Sequence, residues 1–136
     1  MIGVIVATHG EFGNSLLSTL RMILGDIESI ESLALVPEDS LESFQSKMEK
    51  ALGKVDPGAA GALVLVDMLG GTPFNVAIQL SQKRRLEVVT GVNLPMLIKV
   101  STEREATDLK GLASETQKAT RESIVTSVEL FKKKEI

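Results

Sequence analysis

The chain has 136 residues, 15 basic and 18 acidic side chains, a formal net charge of −3, one histidine and no cysteine. That length supports a single domain with a full hydrophobic core, and the missing cysteine excludes disulfides, thiolate metal sites and cysteine nucleophiles. Charge spread along the chain without blocks leaves no electrostatic footprint for nucleic acid, and the lack of Trp and Tyr, with four Phe, argues against stacking platforms for bases or flavins.

The first apolar run, Ile2 to Thr8, has the β-branched content of a strand. No basic region precedes it and it is too short to span a bilayer, so it reads as neither signal peptide nor membrane anchor, and a cytoplasmic location is expected. The helix after it carries Phe12, Leu16, Leu17, Leu20, Ile23 and Leu24 on one face, closed by Gly25 and Asp26. Strand two falls at about Ser32 to Val36. Asp39 and Glu42 suggest a capping box for a helix bearing Leu41, Phe44, Met48 and Leu52. The Gly, Pro and Ala loop from Gly53 to Gly61 leads into Ala62 to Asp67, whose continuous apolar run marks the most buried strand. Thr72 and Pro73 suit the cap and first position of the next helix, which buries Phe74, Ala77, Ile78 and Ser81. Strand four, Leu86 to Gly91, ends at Val92-Asn93-Leu94-Pro95, and Pro95 suits the start of another short helix. A helix over about Thr107 to Thr120 is supported by Leu109, Leu112, Ala113 and Thr116. Between Ser123 and Phe131 the periodicity fits a strand and a helix equally. The basic run Lys132-Lys133-Lys134 reads as a solvated terminus. Alternating strands and helices imply βαβ units and a mainly parallel sheet, hence an α/β three-layer sandwich in one domain over residues 1–136.

A parallel sheet presents chemistry at the carboxyl ends of its strands, beside a topological switch point. In the strand order 2-1-3-4 the loop Thr8-His9-Gly10 meets the loop that begins at Asp67, so His9 and Asp67 face each other. A carboxylate that takes the proton of one imidazole nitrogen leaves the other nitrogen's lone pair outward and nucleophilic. Opposite it, Gly70-Gly71-Thr72-Pro73 offers close backbone approach, amide hydrogens at a helix amino terminus and a hydroxyl, together an anion cradle. Nucleophile, orienter and cradle are what a phosphoryl acceptor requires. Each has a plainer reading as well: a structural histidine, a turn aspartate, a strand-to-helix connection.

Together the motifs Ala7-Thr8-His9-Gly10, Leu65 through Asn75 and Thr90 through Leu97 resemble the enzyme IIA component of the mannose-family sugar phosphotransferase system. The resemblance implies a phosphocarrier that takes a phosphoryl group on His9 Nε2 from the phosphocarrier protein HPr and passes it to a histidine of a IIB domain. It implies that Asp67 orients His9, that Thr72 provides the hydroxyl near the phosphoryl group, and that Gly10, Gly70 and Gly71 belong to the phosphate site. No cofactor or metal is called for. It further implies that residues 123–131 form an antiparallel edge strand exchanged within a homodimer. Some members of that family continue into a fused IIB domain; none follows here, so a separate IIB protein is expected, and the scheme allows peripheral association with a membrane permease complex.

Two rivals share some of these features. Thr8-His9-Gly10-Glu11 is one residue from the signature of histidine phosphatases, but those enzymes need a second histidine and the chain has one. A receiver domain phosphorylated on Asp67 would need acidic residues after strand one for magnesium, where Thr8 and His9 stand.

Overall fold

The computed structural model describes residues 1–133. Strands β1 (Gly3–His9), β2 (Ile30–Leu35), β3 (Ala62–Val66) and β4 (Leu86–Thr90) form one sheet in the order β2-β1-β3-β4. All three pairings are parallel, with Ala7 opposite Val66 and His9 opposite Leu35. Helices α1 (Phe12–Leu24), α2 (Leu41–Val55), α3 (Thr72–Ser81), α4 (Leu94–Glu103), α5 (Leu109–Glu122) and α6 (Ser127–Lys133) complete the described chain.

β3 is apolar along its whole length and β1 as far as Ala7, because both their faces are covered. On one side Ile5, Ala7, Val64 and Val66 pack with Phe44, Met48 and Leu52 of α2 and Val76 and Ala77 of α3. On the other, Val4, Val6, Leu63 and Leu65 pack with Leu17 and Leu20 of α1, Met96 and Leu97 of α4 and Leu112 of α5. Arg104, which caps α4, donates to the carbonyls of Ile2, Ser29 and Glu28 and ties the entry ends of β1 and β2 to that layer. Desolvation lowers its pKa from the ordinary guanidinium value.

Several boundaries move from those expected. The cap of α2 is Ser40, whose hydroxyl accepts from Ser43 N–H while Ser43 Oγ accepts from Ser40 N–H. Asp39 lies outside that capping box and accepts from Val36 N–H, Ser43 Oγ and Lys47 Nζ. Likewise Gly71 is the cap of α3, and Thr72 and Pro73 are its first two residues. At α4 the Asn93 side chain accepts from Met96 N–H, the cap that lets Pro95 stand in the first turn.

The largest departure concerns residues 123–131. No fifth, antiparallel strand forms in the single chain; from Ser127 this segment is the helix α6, capped by Thr126 Oγ1 on Glu129 N–H. A strand needs a neighbour to take its backbone hydrogen bonds, whereas a helix satisfies them within itself. Ile124, Val125, Val128 and Phe131 remain exposed. In the basic tail Lys132 is exposed and Lys134 lies outside the described residues. No helix among the described residues is long and apolar enough to cross a membrane.

Candidate functional site

Parallel pairing of β1 with β3 brings their carboxyl ends to one edge, and there His9 meets Asp67. His9 is the last residue of β1, and Gly10 turns the chain with φ +55°, the left-handed conformation that glycine adopts without strain. The Gly10 amide donates to Leu35 O, which anchors the turn to β2. Asp67 follows the last residue of β3.

One carboxylate oxygen makes both contacts: Asp67 Oδ2 lies 2.8 Å from His9 N and 2.7 Å from His9 Nδ1. Because an ionised carboxylate only accepts, Nδ1 carries the proton and the Nε2 lone pair is free. The bond from His9 main chain to the same oxygen fixes the backbone from which the ring hangs. The imidazole is half exposed, whereas the Asp67 side chain is 14% exposed and its Oδ1 is buried with no hydrogen-bond partner among the described residues. The hydrogen bonding of this carboxylate is thus directed wholly at His9.

Nε2 faces the amino terminus of α3. Gly70 is exposed with φ +85°, and Gly71 follows in extended conformation as the helix cap. The first amides of α3 have no helical acceptor, and with the helix dipole they form a ready anion site. Pro73 at the second position removes one of these donors and leaves those of Thr72 and Phe74. Thr72, half-buried in the first turn, adds its hydroxyl to the same end of the helix.

All six expected site residues therefore come to one edge of the sheet. Sequence reasoning missed Thr8, which is fully buried and accepts from Gly13 N–H at 2.8 Å, anchoring α1 directly beneath the His9 turn. A hydroxyl at the end of an otherwise apolar strand was the signal for it. Around the site Phe12, Met68 and Leu69 are exposed. No three metal-ligating side chains gather among the described residues.

An oriented imidazole with one free nitrogen, facing a helix amino terminus across the switch point of a 2-1-3-4 sheet, defines a class of phosphoryl-handling α/β proteins. Residues 3–117 match the model of the EIIA-man family, described as the PTS system fructose IIA component, and the chain belongs to this family of phosphotransferase-system EIIA components. It is 31% identical over 134 residues to the PTS system fructose-specific EIIA component of Bacillus subtilis (strain 168), covering 98% of this chain and 91% of that one. To the PTS system mannose-specific EIIAB component of Escherichia coli (strain K12) it is 37% identical over 105 residues, 76% of this chain; the match spans 32% of that relative, about a third of its length. The crystal structure of phosphotransferase system component EIIA from Streptococcus agalactiae superposes with a TM-score of 0.85 at 29% identity, covering 93% of this chain and 97% of that one.

Proposed function

We propose that the protein is a phosphocarrier in which His9 Nε2 accepts a phosphoryl group from phospho-HPr and delivers it to a histidine of a IIB protein, in sugar uptake or its regulation. The observation that carries this reading is the 2.7 Å contact of Nδ1 with Asp67, which leaves Nε2 as the nucleophile beside the start of α3. In the forward step the Nε2 lone pair attacks phosphorus in line, the N–P bond of the donor phosphohistidine breaks, and the donor imidazole leaves. His9 becomes a cationic phosphoimidazole whose Nδ1–H is held by the Asp67 carboxylate. The Thr72 hydroxyl, the free amides of Thr72 and Phe74, and the backbone of Gly10, Gly70 and Gly71 receive the phosphoryl oxygens. Little covalent help is required of the protein beyond position and charge.

Phosphorylation on Asp67 itself fits the geometry poorly. Its Oδ2 is engaged twice by His9 and its Oδ1 is buried, so neither oxygen is open to an incoming phosphorus.

The same reading includes a homodimer in which residues 123–131, helical from Ser127 in the single chain, become extended and pair with the partner's sheet. Its support is an open edge at β4, beside a groove lined by Val88, Thr90, Met96, Ala113 and Thr120 that reaches Ile124, together with an exposed apolar segment of matching chemistry. Pairing would hide both a free strand edge and those side chains.

Incubation of the purified protein with phosphoenolpyruvate, enzyme I and HPr tests the central claim. Wild type is expected to take up acid-labile, alkali-stable label and His9→Ala none. Undiminished labelling of His9→Ala would overturn it.

A further inference from the structure

The cap of α3 is a glycine, a tolerated cap that ranks with Thr and below Ser, Asp and Asn at this position. The reason is not backbone strain. Gly71 has φ −80° and ψ 172°, extended angles that any residue adopts. What is special is the neighbour: a β-carbon at position 71 would stand 2.8 Å from His9 Cε1 and 3.5 Å from both His9 Nε2 and Met68 Cγ. Non-bonded carbons approach to roughly 3.5 Å at their optimum, so the imidazole and such a carbon could not both keep their places.

His9 has no slack on the opposite side. Its main-chain N–H and its Nδ1 both reach one oxygen of Asp67, at 2.8 and 2.7 Å. Cε1, the atom between the two ring nitrogens, is the point that meets Gly71. The ring is thus drawn to Asp67 through Nδ1, and Cε1 occupies the space that a side chain at position 71 would enter, with Nε2 toward the helix terminus. We propose that Gly71 is a positioning residue: its missing side chain creates the slot that holds the imidazole against Asp67, and a better helix cap is forgone for that purpose. This rests on the phosphocarrier reading for its consequence in transfer, but the slot itself is a property of the unphosphorylated protein.

Because the imidazole is half exposed, a side chain at 71 would be accommodated by swinging the ring outward rather than by unfolding. Gly71→Ala and Gly71→Ser should therefore fold, and the serine should also supply the absent side-chain cap. Since His9 is the one histidine, nitrogen NMR of labelled protein reads this ring alone. Wild type is expected to show one protonated and one unprotonated nitrogen; in both variants the two signals should move together, as for a ring exchanging tautomers in water. Phosphoryl uptake from phospho-HPr should fall about 100-fold, the loss that follows displacement of a reacting group by about an ångström. A third readout needs no partner protein: on Gly71→Ser the change in Tm should be about 2 to 4 °C more favourable in a His9→Ala background than in wild type, because the crowded neighbour is gone.

Unmoved imidazole signals in folded variants, or an equal Tm change in both backgrounds, would overturn the proposal. So would variants that fail to fold even after His9→Ala, since His9 would then not be the group in conflict. If wild type takes up no phosphoryl group, the phosphocarrier reading fails, and the nitrogen signals and Tm cycle still decide the slot.

Discussion

At the residue scale the site depends on one oxygen. Asp67 Oδ2 accepts from both the main chain and the ring of His9, so the carboxylate sets the backbone, the tautomer and the direction of Nε2 together. In Asp67→Asn the amide oxygen still accepts a hydrogen bond from Nδ1–H, but the bond to a neutral acceptor is about half as strong as the charge-assisted one. A loss of about 1.4 kcal/mol of stabilisation for the cationic phosphoimidazole corresponds to transfer slowed about 10-fold, with the fold intact. Single-turnover labelling checks this, and an unchanged rate would remove Asp67 from the mechanism. His9, Asp67 and the Gly70 to Thr72 turn were visible in the sequence because each ends or follows a strongly patterned element. Thr8 was not, since its partner, the Gly13 amide, is defined only once α1 has folded back over β1.

At the element scale the connection from β2 to α2 lies next to the site, for Gly10 N–H is bound by Leu35 O at the end of β2. Asp39 organises that connection. Its carboxyl pKa is lowered to about 2, first by the bond from Lys47, then by Val36 N–H and the Ser43 hydroxyl. A carboxylate whose folded pKa is depressed stabilises the native state above its ordinary value, and that contribution is lost as pH falls through the folded value. Wild type should therefore exceed Asp39→Asn in Tm by a constant margin above about pH 5, the margin closing as pH falls from about 4 toward about 2. Thermal melts across that range check it; a margin that stays constant down to pH 2 would refute the role. The capping signal near residue 39 was legible, but its assignment moved by one residue because Ser40 and Ser43 form the reciprocal pair. Asp39 and Ser40 are both good caps in isolation; the choice is made by Lys47, in the second turn of α2, which reaches Asp39 at 2.7 Å.

Across the whole molecule the described chain leaves unpaired the outer backbone edge of β4 and, near it, the exposed apolar side chains Ile124, Val125, Val128 and Phe131. In the single chain this segment pairs with no strand, and from Ser127 it coils into α6. A second copy would offer the edge of β4. Under the proposed exchange the intact chain is expected to be a dimer and the chain truncated after Glu122 a monomer, as read by light scattering. A dimer of normal mass from the truncated chain would refute the exchange.

Legible in the sequence alone were the succession of strands and helices up to residue 122, the deep burial of β3, and the identity of the residues at the carboxyl ends of β1 and β3. These are local properties, set by hydrophobic period, glycine and proline. It took the tertiary structure to reveal that a single Asp67 oxygen holds His9 twice and that its ring fills the space a side chain at position 71 would need. The tertiary structure also decided that residues 127–133 are helical in the single chain. Each of these depends on atoms far apart in the chain, the first across 58 positions, and short-range pattern carries no information about such distances. The last depends on whether a strand edge is within reach, which periodicity alone does not encode.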